Sequence, residues 1–166
     1  MIKGQDIVVL AALMGGDRHP RSYAPLAKRA KLSVSETHAA VKRLQDAMLV
    51  DEDRHLRKRN AVEFLTHAIR YVFPPVVANS KAIGMPTGYA APVATAEFAT
   101  SGDVPVWPCE GGTVEGRTFE PVYSSAPSAA AADNDIYDAL AIIDMLRGGR
   151  LRERAFAEQK LKELMK

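Results

Sequence analysis

Eight of the ten prolines in this chain of 166 residues (Pro74, Pro75, Pro86, Pro92, Pro105, Pro108, Pro121 and Pro127) fall in one stretch, together with six of the eleven glycines. Proline removes a backbone donor and fixes φ, so a long helix cannot run through such a segment. The chain therefore divides into residues 1–75 and 132–166, where apolar residues recur at helical spacing, and residues 76–131, an irregular Pro/Gly-rich arm. The expected class is mainly α. Trp107, Phe98, Phe119 and Tyr123 would be wasted on a solvated tether, so the arm is expected to pack on its own protein or on a partner.

A composition of 47% hydrophobic and 25% charged residues suffices for a real core of one domain, or one domain with an appendage. No apolar run is long enough to cross a bilayer, and the start "MIKGQDIVVLAALM" lacks the basic segment and cleavage site of a signal peptide; a cytoplasmic protein is expected. The single cysteine, Cys109, excludes an internal disulfide and a cysteine-based zinc site, and the four histidines form no metal motif, so no cofactor or metal is expected. Cys109 reads as a small hydrophobe, because no histidine lies in its segment to activate it. Nothing suggests an active site. Charge is unevenly spread: residues 1–75 carry thirteen Lys and Arg against eight acids, residues 76–131 two against five, and residues 132–166 seven against seven. A polyanion, if one binds, should bind the first third.

Within that third, Ile7, Leu10, Ala11 and Met14 predict a core helix over about residues 3–14, stopped by Gly15 and Gly16. "SYAPLAKRAK" predicts a short second helix capped by Ser22, with Pro25 in its first turn. In "LSVSETHAAVKRLQDAMLV", Ser33 caps, Glu36 completes a capping box, and Val34, Thr37, Val41, Leu44 and Met48 make the buried stripe. "LVDEDRHLRKRN" is short enough for two small strands joined as a hairpin. Asn60 and Glu63 propose a capping box for a fourth helix whose inner face is Val62, Leu65, Ile69 and Val72. After the arm, "SAPSAAAA" is expected to be a loop. Ile136, Tyr137, Leu140, Ile143 and Leu146, the Gly148-Gly149 break and "RLRERAFAEQKLKELMK" then predict a helical hairpin. Asp133, Asp135, Asp138 and Asp144 read as a charge bias at its helix start, and Arg147, Arg150, Arg152 and Arg154 as a charged rim.

The block "YAPLAKRAKLSVSETHAAVKRLQDAMLVD" resembles the DNA-binding core of bacterial winged helix-turn-helix regulators of the MarR-like type, over about residues 1–75. The resemblance implies three helices, a small β-hairpin and a fourth helix, with the third helix in the major groove. Carried over by position, Ser35, Glu36, His38, Ala39 and Lys42 would face base edges, with Arg43 at the groove margin. Ser22, Tyr23 and Ser33 would lie near phosphates. Arg54, Arg57, Lys58 and Arg59, with His55, would belong to the wing or the strand behind it. Two departures stand out: the family often has glycine where this chain has Lys31 and Met48, positions that call for a left-handed backbone. Glu36 has two open roles, cap and base contact.

Together these readings predict a sequence-specific regulator of transcription, without catalytic activity, that binds double-stranded DNA as a homodimeric repressor. The C-terminal hairpin, with the first helix, would build the two-fold interface. A Lys42→Ala, Arg43→Ala double substitution should spare the fold and abolish DNA affinity. The rival expectation is a protein-binding module, such as an antitoxin or adaptor, that wraps a partner with its arm. Burial of Trp107, Phe98 and Phe119 in their own protein would remove the motive for that rival.

Overall fold

A computed structural model describes residues 1–15 and 22–166. Helix α1 spans Gly4–Met14, α2 Tyr23–Ala30, α3 Val34–Asp46, α4 Lys58–His67 and α5 Ile69–Val72. Strands β1 (Val77–Pro86), β2 (Pro105–Pro108) and β3 (Val114–Phe119) follow, with a 3-10 turn at Gly88–Ala90 after β1. Helices α6 (Ala126–Ala132), α7 (Asn134–Gly148) and α8 (Leu151–Leu164) complete the chain. The described residues are thus mainly helical with one small sheet. None of their helices is long and apolar enough to cross a membrane. Gly16, expected to help stop the first helix, lies outside the described residues.

Helix α1 is buried on every side: residues 6–15 all lie in the core, packed against α2, α3 and α7. Its uninterrupted run IVVLAALM explains this, since a helix that is apolar all round is stable only when enclosed. Helix α7 is the second axis of the core. Ile136, Leu140, Ile142 and Ile143 are fully buried against α1, α5, α6 and α8. Two elements from opposite ends of the chain therefore form one interior.

The middle of the chain departs from the expectation of an irregular arm. Strand β1 pairs antiparallel with β2 (Met85 opposite Trp107) and with β3 (Ala82 opposite Gly116), and β2 pairs parallel with β3, closing a three-stranded barrel. The prolines are compatible with it by position: Pro105 opens β2, while Pro86 and Pro108 end their strands, where a missing donor costs least. Gly84 is required by closeness. A Cβ there would stand 1.9 Å from the Trp107 carbonyl oxygen, and one on Gly112 would stand 2.3 Å from the Gly84 Cα. "SAPSAAAA" is helix α6 rather than a loop, because alanine is the best helix former and Pro127 sits in the first turn, whose N–H groups lack partners anyway.

Trp107 and Phe119 are buried and Phe98 is half-buried, edge-on to Phe156 at 5.3 Å. The rings expected to seek a partner are thus satisfied largely within the fold. Asp144 is not a helix-start charge. It is buried deep along α7, where its carboxylate accepts from Thr87 Oγ1 (2.7 Å), Trp107 Nε1 (2.8 Å) and Arg147 Nη1 (2.7 Å). Arg147, expected on a charged rim, is likewise buried and donates from Nε to the Phe73 carbonyl (2.9 Å). This network locks the sheet, α5 and α7 together. Burial pushes the Asp144 carboxyl above its ordinary range, opposed by Arg147, Thr87 and Trp107.

Candidate nucleic-acid interface

Helices α2 and α3 end in the same way. At Lys31 (φ 55°) and Met48 (φ 61°) the backbone is left-handed. The next N–H turns back to a carbonyl five residues earlier: Leu32 to Ala27 (3.0 Å) and Leu49 to Leu44 (2.9 Å). These are the two positions where glycine was expected, so the backbone keeps the glycine geometry without the glycine. Ser33 then starts α3 with a closed capping box: Glu36 N–H donates to Ser33 Oγ (3.1 Å) and Ser33 N–H to Glu36 Oε2 (2.9 Å). The Ser33 N–H, with the Ser33 hydroxyl, holds the Glu36 carboxyl below its ordinary range. Of the two roles open to Glu36, the cap is occupied.

The inner face of α3 is Thr37, Ala40, Val41 and Leu44, whereas Val34 and Met48, expected in the buried stripe, are half-exposed at the helix ends. Arg43 also points inward. Its Nε and Nη2 donate to Asp6 Oδ2 (2.8 Å) and Oδ1 (2.6 Å), and Asp6 has no exposed surface. That two-point bond raises the Arg43 pKa and pins α3 to α1. Arg43 is therefore not at a groove margin. Arg29 is equally engaged, donating to the Asp133 carboxylate (3.0 Å) and to the Ala12 (2.8 Å) and Gly15 carbonyls at the end of α1.

What remains outward on α3 is Ser35, His38 and Lys42, with Ala39 half-buried between them. Lys42 pairs with Asp46 at 3.2 Å, but both side chains are about two-thirds exposed, so the pair contributes little and yields readily to another anion. The His38 ring meets Tyr23 of α2 edge-on at 4.9 Å, and the Arg54 guanidinium also lies over the Tyr23 ring, 5.1 Å from its centroid. Loop, α2 and α3 thereby meet at the Tyr23 ring. Ser22, the residue before α2, and Ser33, before α3, are both exposed, although the Ser22 side chain makes no cap bond.

The predicted hairpin is reduced to a single bridge, Val50 with Leu56, flanked by Arg57 N–H to the Leu49 carbonyl (2.8 Å) and Asp51 N–H to the His55 carbonyl (2.9 Å). Its tip holds exposed Glu52 and Asp53. Asp51 accepts from His55 N–H (2.8 Å), which lowers its pKa. The two expected wing residues Lys58 and Arg59 are instead in the first turn of α4, which Arg57 precedes; Asn60 does not cap that helix but donates to the Met48 carbonyl (2.7 Å). Lys58 is turned toward the chain end, donating to the Lys166 carbonyl (2.9 Å), while Arg57 and Arg59 are exposed.

Among the described residues no group of three or more His, Cys, Asp or Glu side chains is arranged to hold a metal. No family model matches this chain, and no curated protein and no solved structure matches it significantly. The functional reading therefore rests on the geometry of this face.

Proposed function

We propose that the chain is a sequence-specific double-stranded DNA-binding regulator of transcription, in which residues 22–67 form a winged helix-turn-helix and α3 enters the major groove. The observation that carries this reading is the division of labour on α3. Arg43, Thr37, Val41 and Leu44 hold the helix to the core, while Ser35, His38 and Lys42 are exposed on the opposite face. Lys28, Lys31, Arg57 and Arg59 are exposed nearby in sequence, which favours phosphates over a neutral partner. The acidic loop tip, Glu52 and Asp53, would repel phosphates, so in this reading the loop contributes Arg54, which closes the turn over residues 51–54, rather than a probing tip.

The test is fluorescence anisotropy on the chain's own upstream DNA across a salt series. A His38→Ala, Lys42→Met variant should keep its Tm and lose most specific affinity, with the slope of log affinity against log salt reduced by about one. Binding that is unchanged in this variant would remove α3 from the interface. Arg43 does not belong in this test, because its loss would confound binding with folding.

Repression as a homodimer remains part of the proposal, and of its expected interface only α8 keeps apolar surface that a second copy could cover. Residues 6–14 of helix α1 and the apolar residues of α7 are spent on the chain's own core. Of the expected tail residues, Leu151 is 77% exposed, while Leu161 is buried and Phe156 and Leu164 are half-buried.

A further inference from the structure

At the far end of α7 from Asp133 lies an open cavity of about 460 Å³, lined by Tyr89, Phe98, Arg117, Arg150, Arg152 and Glu153 among others. Its three guanidiniums come from three different places: Arg117 from β3, Arg150 from the break between α7 and α8, and Arg152 from the first turn of α8. Residues 76–131 hold only two basic side chains, and one of them is here. Arg152 pairs with Glu97 (3.2 Å) and lies over the Phe98 ring at 5.3 Å. Arg117 and Arg150 have no carboxylate partner among the described residues. The one lining carboxylate, Glu153, already accepts from the Arg150 backbone N–H (2.9 Å). Asp144, in a smaller recess that shares Arg117 and Glu153 with this cavity, is neutralised by Arg147.

We propose that this cavity binds a phosphate monoester carrying an aromatic ring, of the size of a nucleoside monophosphate. Two unpaired guanidiniums converging from separate elements suit a phosphate, whose three terminal oxygens accept two forks at once; a carboxylate has only two oxygens, which a single fork already fills. Three guanidiniums against the Glu97 and Glu153 carboxylates leave one net positive charge, which favours an anion. The cavity is too large for phosphate alone and falls in the range of small-molecule sites. Tyr89 and Phe98, 6.3 Å apart, and the flat Arg152 guanidinium give a planar base apolar and stacking surface beside the phosphate. Helix α7, fifteen residues and roughly 22 Å long, starts where Asp133 meets Arg29 of α2 and ends at this cavity, so the site stands whether or not the chain reads DNA.

Calorimetric titration of the full chain with adenosine monophosphate, adenosine and inorganic phosphate tests it. Adenosine monophosphate should bind with a micromolar Kd, and both adenosine and phosphate at least about tenfold more weakly. Arg117→Gln, Arg150→Gln should weaken the nucleotide by about tenfold or more at unchanged Tm, since both side chains are exposed and neither is used in packing. Tyr89→Leu should weaken the nucleotide while leaving inorganic phosphate unaffected. Absence of nucleotide binding up to millimolar concentration, equal affinity for adenosine, equal affinity for phosphate alone, or indifference to the double arginine variant would each overturn the assignment.

Discussion

Asp6 accepts from Arg43 at both carboxylate oxygens and from the Lys3 N–H (2.8 Å) with no exposed surface of its own. Removing one partner from a buried pair leaves the other charge uncompensated, so Arg43→Ala and Asp6→Ala should each lower stability by about 3–5 kcal/mol, read from chemical denaturation. Lys42→Ala, one residue away, should change it by less than about 0.5 kcal/mol. The contrast also overturns the expected Lys42→Ala, Arg43→Ala phenotype: the double variant should lose fold along with affinity. Sequence position alone made these two neighbours equivalent, because helical spacing shows a face but not which aliphatic stem folds back to a buried acid. Asp133 shows a different dependence. Burial opposes its charge, yet Arg29 and the N–H groups of Ile136 and Asp135 outweigh it and hold the carboxyl below its ordinary range. A depressed folded pKa contributes stability above the unfolded value and loses it as pH falls through the folded one. Wild type should therefore exceed Asp133→Asn in Tm at neutral pH, and the two should converge as pH falls through the lowered folded pKa.

Among the elements, the helix ends at Lys31 and Met48 bear a measurable strain. A left-handed backbone costs a residue with a Cβ about 1 kcal/mol, and both side chains are exposed, so Lys31→Gly and Met48→Gly should each raise stability by up to about that amount in thermal unfolding. No rise would mean that the native side chains repay the cost by contacts of their own. These turns, the α3 cap and the helix-helix-helix order were legible in the sequence because capping and spacing are local. The β-barrel was not. Its strands are short, its glycines and prolines mimic a linker, and its pairing joins residues up to 42 positions apart, Val77 with Phe119. Proline marks where a strand begins or ends as readily as where structure stops, and only the partner strand tells the two apart. Gly84→Ala tests the closeness of that pairing: a Cβ meeting the Trp107 carbonyl at 1.9 Å should cost more than about 2 kcal/mol and perturb the Trp107 fluorescence.

The whole molecule closes on α7, which packs against α1, α4, α5, α6 and α8 and holds the sheet through Asp144. Residues 1–75, read from sequence as a separate domain, would expose the entire α7-facing side of α1 if cut free. That fragment should show little cooperative unfolding by circular dichroism, whereas the full chain should unfold in one transition. The same closure changes what the charge excess of the first third means: of its named cations, Arg29 and Arg43 are structural, and the outward set is Lys28, Lys31, Lys42, Arg57 and Arg59. The sequence alone determined the mainly helical class and the start and stop of α3, since these follow from backbone capping and a 3.6-residue repeat. Only the tertiary structure decided which charges are buried, that the proline-rich third is a closed sheet, and that both chain ends share one core. Each of those depends on partners distant in the chain, and burial of a charge or an edge is settled by the partner that meets it.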